Sequence, residues 1–300
     1  MQRHLLVAAG LCACLATRLA GQQPDSTLAL LEQRIAASGA TVGLYYRDLS
    51  TDDSLLLNPD LRFHAASTMK VPVMVQVFRD AEAGRLRLDS LITVENRFRS
   101  IADTSTFSLD RADDSDSSLY LRIGRAVRIR ELVELMITVS SNLATNNLVA
   151  RVGVERIQAT LHELGADSLI VLRGVEDGAA FRAGINNTTT ARALGTLLRA
   201  IVDARAASPL DCAAMLDVLL DQRFRSAIPA GLPRRTRVAH KTGWLQGQEH
   251  DAAIVYVRGH PRYVLVVLTR GLDDRAAAAH LIADLARILH ARADPPAPPR

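Results

Sequence analysis

The chain of 300 residues has 36 lysine and arginine side chains in total, and only Lys70 and Lys241 among them are lysines. An arginine guanidinium keeps its proton in proteins, whereas a lysine amine can lose it, so lysine is expected where a neutral amine is needed. Ser67 precedes Lys70 by three residues in ASTMKVP, and a helix beginning here would place hydroxyl and amine on one face. A serine needs a neighbouring base to act as a nucleophile, so the spacing predicts nucleophilic catalysis. Taken alone, the pattern also describes the more common helix-capping serine beside a solvated lysine.

Two further segments carry side chains suited to the same chemistry. The segment ITVSSNLATNNL offers a hydroxyl at Ser140 and an amide at Asn142. The segment HKTGW places Lys241, Thr242 and Gly243 in a predicted strand, where cation and hydroxyl can bind a carboxylate and glycine allows close approach of a substrate. A general bias toward arginine would explain why lysine is scarce, but not why both lysines fall inside such motifs.

Taken in order, Ser-x-x-Lys, Ser-x-Asn and Lys-Thr-Gly resemble the motifs of penicillin-recognising serine enzymes. The flanking segments RFHAASTMKVPV, VRIRELVELMITVSSNLATNNLV and HDAAIVYV are similar to helices and strands of class A β-lactamases. The sequence is therefore identified as a member of the class A β-lactamase, or penicillin-recognising serine hydrolase, family. This resemblance implies an α/β (α+β) fold in which both chain ends form one antiparallel sheet with flanking helices, beside an all-helical lobe.

The resemblance implies a catalytic role for several of these residues. Ser67 would be the acylated nucleophile, with Lys70 in its base system. Ser140 would relay a proton to the leaving nitrogen. The backbone N–H groups of Ser67 and Trp244 would form the oxyanion hole.

Other motif residues would bind the substrate. Asn142 would hold the amide side chain of the substrate, while Lys241 and Thr242 would bind its carboxylate, with Gly243 and Trp244 beside them on the same strand. The implied partner is a small-molecule β-lactam or a cell-wall peptide.

The loop expected to activate the deacylating water departs from the family pattern. Class A enzymes carry a glutamate within Arg-x-Glu-x-x-Leu-Asn ahead of Asp-Thr-Thr, whereas this chain reads RGVEDGAAFRAGINNTTT. Glu176 is the predicted base, although it follows Arg173 by three residues and Asn187 replaces the aspartate. It is equally compatible with an exposed loop carboxylate, and Asp177 is a weaker candidate. Ser141 replaces the central aspartate of Ser-Asp-Asn, from which we expect tuning rather than loss of activity.

Hydrophobic periodicity predicts strands near both chain ends and helices between them. Because lone hairpins are not stable, the terminal strands are expected to form one sheet. We predict a composite α/β lobe from residues 22–65 and 229–293, a helical lobe from 66–228, and a Pro-rich tail, 294–300. The crevice between the lobes is the expected site. The acidic segment 110–118, DRADDSDSS, is predicted to be a solvated loop.

The N-terminal segment, residues 1–21, has the basic start, apolar run and small residues of a signal peptide. We therefore expect a periplasmic or secreted protein without stable membrane insertion. Anchoring through Cys12 or Cys14 is the less favoured alternative. Cleavage would leave Cys212, which is expected to be a buried thiol of the core.

Composition excludes several other classes of function. The formal net charge of +4 is spread along the chain and aromatic residues make up 4% of it, so a nucleic-acid-binding role is not expected. The eight histidines show no metal-ligand spacing, and we predict neither a metal nor a cofactor. A monomer is expected.

Three functions remain open from the sequence. The favoured function is hydrolysis of the β-lactam amide through a Ser67 acyl-enzyme. The alternatives are a D-Ala-D-Ala peptidase or esterase of the same fold, and a non-hydrolytic penicillin-binding protein.

Overall fold

A computed structural model describes residues 26–51 and 53–295 of the chain. The helices within these ranges are α1 Ser26–Ser38, α2 Lys70–Glu82, α3 Ile129–Thr138, α4 Asn142–Val152, α5 Val154–Glu163, α6 Gly178–Arg182, α7 Ala191–Val202, α8 Pro209–Leu220 and α9 Arg275–Ala293. The strands are β1 Thr41–Asp48, β2 Ser54–Leu57, β3 Phe63–His64, β4 Leu91–Thr93, β5 Phe98–Arg99, β6 Thr106–Phe107, β7 Ala126–Arg128, β8 Thr188–Thr189, β9 Val238–Leu245, β10 Gln248–Val257 and β11 His260–Arg270. Three 3₁₀ segments cover Ala66–Met69, Leu119–Arg122 and Ile228–Gly231.

Both ends of the chain contribute strands to one antiparallel sheet. The strand order is β2-β1-β11-β10-β9, so the N-terminal hairpin pairs along the last strand of the C-terminal meander. The register joins Thr41 to Arg270 and Asp48 to Tyr263 along the full length of β1. The predicted fold class, a sheet formed by both chain ends with flanking helices and a helical lobe, is confirmed.

Strand β11 shows why this sheet is rigid. Its side chains alternate between two separate hydrophobic cores, as the two-residue period of a strand requires. One core lies between the sheet and the helical region and takes Val264, Val266 and Leu268. The other lies under α9 and takes Tyr263, Leu265 and Val267. A sheet covered on both faces has little freedom to shift, which fixes the position of its edge strand β9.

Helix α2 is the centre of the helical region. Every residue from Lys70 to Phe78 is buried, as expected for a helix that is surrounded by other helices. Pro72 lies in its first turn, where the missing N–H costs no intrahelical hydrogen bond. Cys212, on α8, is buried in the same core, which confirms its predicted place.

The region between the terminal strands also contains short two-stranded ladders. These pair β3 with β8, β4 with β7, and β5 with β6, each over two or three residues. Strands this short show no detectable alternation in sequence, so periodicity could not indicate them. The lobe boundaries given above remain a prediction.

The predicted signal peptide, residues 1–21, lies outside the described residues, as do residues 296–300 of the predicted tail. Among the residues that the structure describes, no helix combines the length and apolar character needed to cross a bilayer.

Candidate active site

Ser67 lies in the 3₁₀ segment that leads directly into α2. Ala66, just before it, has a φ of 45°, in the left-handed region that costs a non-glycine residue about 1–3 kcal/mol. The ring of His64 supports this conformation, because its Nδ1 accepts the Ala66 N–H at 3.0 Å. Thr68 and Met69 are buried, so the turn is anchored on both sides and presents a half-buried Ser67.

The Ser140 hydroxyl lies between the two lysines of the chain. Lys70 Nζ donates to Ser140 Oγ at 3.1 Å and to the Ser140 carbonyl at 2.7 Å. Lys241 Nζ donates to the same hydroxyl oxygen at 3.0 Å and to the Thr242 carbonyl at 2.8 Å. Ser140 itself has a φ of 60°, a second left-handed residue in the site. Side chains from α2, the α3–α4 turn and β9 therefore meet at one oxygen atom.

Both lysine side chains are fully buried, which disfavours their charged forms. Burial lowers the pKa of Lys70 to about 7, although the carboxylates of Asp114 and Glu176 oppose this shift. Burial also lowers the pKa of Lys241 well below its ordinary value, and the charge of Lys70 lowers it further. A neutral amine is therefore available near pH 7, which an arginine in either position could not supply.

Asn142 connects Lys70 to Glu176. Its Oδ1 accepts from Lys70 Nζ at 2.7 Å, and its Nδ2 donates to Glu176 Oε1 at 3.2 Å. Glu176 has a φ of 60° and is exposed to the cleft, yet partial desolvation there raises its pKa while the charge of Lys70 opposes the rise. Among the described residues, no hydrogen bond joins the Lys70 amine to the Ser67 hydroxyl; the amine is held by Ser140 and Asn142 instead.

Two asparagines hold the loop that carries the candidate base. Asn146 on α4 accepts the Val175 N–H at 2.7 Å and donates to the Val175 carbonyl at 2.9 Å. Gly174 is required beside it, because a β-carbon there would lie 2.3 Å from the Asn146 Oδ1. Asn187 accepts the Arg173 N–H at 3.2 Å and donates to the Arg173 carbonyl at 2.9 Å. The residue that replaces the family's aspartate thus closes the loop through neutral contacts with its backbone.

Strand β9 forms the wall opposite this loop. It passes so close to the nucleophile that a β-carbon at Gly243 would lie 3.1 Å from the backbone nitrogen of Ser67. Trp244 is 50% exposed, and the Arg275 guanidinium lies over its ring at 5.0 Å. Arg275 Nε donates to the buried Glu249 at 2.9 Å. Burial raises the pKa of Glu249 to about 7, and the charge of Arg275 opposes this.

A cleft of about 740 Å³ joins these elements. Its lining contains seven of the predicted site residues: Ser67, Ser140, Asn142, Glu176, Thr242, Gly243 and Trp244. Lys70 and Lys241 lie beneath it, bound to Ser140. Apolar walls are provided by Val175, Phe181, Phe224 and Leu245. Every site residue predicted from the sequence therefore lies in this cleft or directly under it.

The acidic segment 110–118 was predicted to be solvated, and this is wrong for Asp114 and Asp116, which are both buried. The Asp114 carboxylate accepts the N–H groups of Asn142 and Leu143, each at 2.9 Å, at the start of α4. The first N–H groups of a helix have no intrahelical acceptor, so a carboxylate is favoured there. Composition alone indicated solvation, and no local pattern links residue 114 to a helix that begins 28 residues later.

The structure gives Asp177, the weaker candidate for the base, another role. Its carboxylate accepts the Ala180 N–H at 3.0 Å, the Ser100 hydroxyl at 2.9 Å and the Ile101 N–H at 3.1 Å. Burial alone would raise the pKa of Asp177, but these donors outweigh it and the pKa is lowered. Asp177 therefore caps α6 and ties it to the loop at residue 100. Sequence reasoning missed Asp114 and Arg275 because their partners are distant in the chain.

A model of the β-lactamase enzyme family matches residues 28–293 of the sequence. The chain belongs to this family. β-Lactamase AST-1 of Nocardia asteroides is 28% identical over 309 residues, which cover 96% of this chain and 94% of the relative. A β-lactamase structure from Sphaerobacter thermophilus has a TM-score of 0.77 and 28% identity, covering 89% of this chain and 98% of that one. The structure of PBP-A has a TM-score of 0.75 and 26% identity, covering 88% and 95% respectively.

This membership confirms the family predicted from the three motifs, class A β-lactamase. The protein is a serine β-lactamase-like hydrolase.

Replacing Asp177 with alanine should lower the free energy of unfolding by about 1–3 kcal/mol, because the cap is lost and the buried Ser100 hydroxyl loses its acceptor. The folded-state pKa of Asp177 is lowered, so its contribution is present above the unfolded value of about 3.9 and is lost as pH falls through the folded value. Urea unfolding of wild type and variant from pH 7 to pH 2 should show a difference that shrinks below about pH 4.

The exposed Asp217 on α8 offers a matched control, and Asp217→Ala should change stability by no more than about 0.5 kcal/mol at any pH. A stability loss in Asp177→Ala that stays constant down to pH 2 would contradict the assigned role.

Proposed function

We propose that this protein is an exported class A-like β-lactamase that opens the β-lactam amide through an acyl-enzyme on Ser67. The observation that carries this proposal is the convergence of the buried Lys70 and Lys241 on the Ser140 hydroxyl, at the base of the cleft that exposes Ser67. A buried lysine with a pKa near 7 can accept a proton from a serine, and a hydroxyl between two amines can pass one on.

In the proposed acylation, Ser67 Oγ attacks the carbonyl carbon of the β-lactam and its proton passes to neutral Lys70. The resulting oxyanion would face the N–H groups of Ser67 and Trp244. Ser140 then gives its hydroxyl proton to the lactam nitrogen as the C–N bond breaks, and the Lys70 ammonium returns a proton to Ser140. The product of this step is a Ser67 ester with the ring opened. Lys241 would hold the Ser140 hydroxyl in place.

In the proposed deacylation, Glu176 takes a proton from a water molecule whose oxygen attacks the ester carbonyl. The ester C–O bond breaks, and the proton passes from Glu176 to Ser67 Oγ. The raised pKa of Glu176 suits a general base, and its hydrogen bond to Asn142 keeps it beside the lysine network. One water is consumed for each β-lactam opened.

The substrate would lie between the β9 wall and the Glu176 loop. We assign its carboxylate to Thr242 and Lys241, with Arg275 beside Trp244 on the cleft wall. Arg270 is not among the residues that line this cleft. Its guanidinium lies over the Phe63 ring at 5.2 Å. Close approach along β9 depends on Gly243. The apolar walls would accept the acyl side chain of the substrate, with its amide held by Asn142.

A second candidate function is a penicillin-binding protein, a D-Ala-D-Ala peptidase or an esterase that deacylates slowly. Two observations favour keeping it: the Glu176 loop departs from the family pattern, and the chain is similar to PBP-A, a mutant of which has been solved as an acyl-enzyme complex with penicillin G. Both functions share acylation of Ser67 and differ in the fate of the ester.

Export is proposed from the signal-like residues 1–21. Cleavage after Gly21 in the periplasm or during secretion would give a mature protein that begins at Gln22, which the intact mass of the exported protein measures directly. A mass that retains residues 1–21 would contradict it.

Intact-protein mass spectrometry after mixing with penicillin G should show an adduct on Ser67 that forms and clears in the wild type. Glu176→Gln should accumulate this adduct, with turnover reduced by about 100-fold or more, because the base for the attacking water is lost. The control Glu134→Gln changes an exposed glutamate on α3 and should behave as wild type.

An adduct that persists on the wild type would favour the penicillin-binding or peptidase-like function. No adduct would contradict both functions, and unchanged turnover in Glu176→Gln would remove Glu176 from the mechanism.

Replacing Lys70 with arginine should slow acylation by about 100-fold or more, because arginine cannot accept the Ser67 proton. In the wild type, acylation should rise with pH, reach half of its maximum near pH 7 and level off above about pH 8, since the neutral amine is the active form. Stopped-flow acylation with a chromogenic cephalosporin from pH 5 to pH 9 checks both expectations.

The buried site has little room for a guanidinium, so Lys70→Met serves as a second variant, and a thermal melt of each shows whether it is folded. A folded Lys70→Met that acylates at the wild-type rate would contradict the role of Lys70 as base.

A further inference from the structure

Asp114 belongs to none of the three motifs, yet it contacts Asn142, the residue that connects Lys70 to Glu176. We propose that Asp114 is a positioning residue for acylation, which fixes the Ser140–Asn142 turn from the acidic loop and balances the charge around Lys70. This inference rests on the proposed function for its kinetic consequences and deepens that function, because it adds to the reaction a residue from a loop that carries no catalytic motif.

The Asp114 carboxylate is 9% exposed and both of its oxygens are engaged. Oδ1 accepts the N–H of Asn142 at 2.9 Å and that of Asp116 at 3.2 Å. Oδ2 accepts the N–H groups of Asn142 at 3.0 Å and Leu143 at 2.9 Å, and the Tyr120 hydroxyl at 3.1 Å. Charge-assisted hydrogen bonds of this kind are about twice as strong as neutral ones. The start of α4 is therefore clamped by a carboxylate from a separate loop.

The serine at position 141 leaves the first two N–H groups of α4 without an acceptor. The Ser141 hydroxyl caps α4 by accepting only the Ala144 N–H, at 3.3 Å. The preceding N–H groups, of Asn142 and Leu143, have no acceptor within the helix and take Asp114 instead. Because the Asn142 backbone is held in this way, its side chain is directed at Lys70 Nζ, 2.7 Å away.

Asp114 also contributes to the charge around Lys70. The charged groups that act on this amine are Asp114 and Glu176, which come from the acidic loop and the 172–187 loop. Lys241 on β9 also faces it, and the charge of Lys70 lowers the pKa of Lys241. Both carboxylates favour the ammonium form of Lys70, while burial opposes it. Asp113, beside Asp114, acts on Glu176 rather than on Lys70. Removal of the Asp114 charge should therefore lower the pKa of Lys70.

Asp114→Asn is the direct test, with Asp116→Asn as its matched control. Asp116 is equally buried in the same loop, but its carboxylate accepts only from the Ser118 N–H and hydroxyl. Acylation by penicillin G at pH 8 should fall by at least about tenfold in Asp114→Asn, since hydrogen bonds to a charged group are lost at the Asn142 turn. Asp116→Asn should stay within about twofold of wild type. Asp114→Glu, which keeps the charge, should recover part of the rate.

A second readout does not depend on β-lactam chemistry. Because the chain has two lysines, ¹³Cε-lysine labelling gives two signals, and Lys70→Met assigns them. The Lys70 titration should move to lower pH in Asp114→Asn and stay in place in Asp116→Asn. The acid limb of the acylation profile should move in the same direction, because a lower pH is then needed to protonate the amine. A residue with only a structural role would reduce the rate without moving either titration.

The outcomes separate the two proposals. A wild type that is not acylated, combined with the expected shift in the Lys70 titration, contradicts the proposed function but leaves the role of Asp114 at Lys70 supported. Equal acylation and equal titrations in Asp114→Asn and Asp116→Asn overturn the inference. A melting temperature lowered equally in both variants, with equal loss of rate, also overturns it, because the loop and not the Asp114 contact would then be responsible.

Discussion

The rest of the site depends on two buried amines that share one hydroxyl group. Burying a charged amine is costly unless it is paired, and two such amines near one oxygen also repel each other. The protein satisfies Lys70 with three acceptors and Lys241 with two, and both share Ser140 Oγ. Loss of a proton from one lysine relieves both the desolvation and the repulsion. The arrangement that looks unfavourable for stability is thus what makes a neutral base available at neutral pH.

This arrangement is possible because its parts come from elements that cannot move easily. Lys70 begins a helix buried on all sides, and Lys241 lies on the edge strand of a sheet packed on both faces. Ser140 is held in a left-handed conformation between α3 and α4. The tight contact between Gly243 and the Ser67 backbone joins sheet and helical region at the nucleophile. These rigid elements therefore fix the positions of both lysines.

The parts of the fold and site that could be predicted from the sequence are those with a local or periodic pattern. Strand alternation gave the sheet, and spacing placed Ser67 with Lys70, and Ser140 with Asn142, in single turns of chain. The structure adds contacts that leave no such trace: Asp114 reaches α4 across 28 residues, and Arg275 reaches Glu249 across 26. A side chain bound to a distant backbone needs no repeated spacing, and the acidic composition around Asp114 indicated solvent instead of a helix start.

Around the cleft, some backbone groups are held by side chains that titrate and others by side chains that do not. Where the family pattern has aspartate, position 141 carries serine and position 187 carries asparagine, and both bind backbone groups without charge. Amide contacts do not titrate, so the closure of the loop at Asn187 is independent of pH, whereas the Asp177 cap in the same loop is lost in acid. A negative charge is present at Asp114, where it acts on Lys70. The loop that holds Glu176 is closed by neutral contacts at Asn187 and by the titratable cap of Asp177, whereas Asp114 acts on the amine from a separate loop.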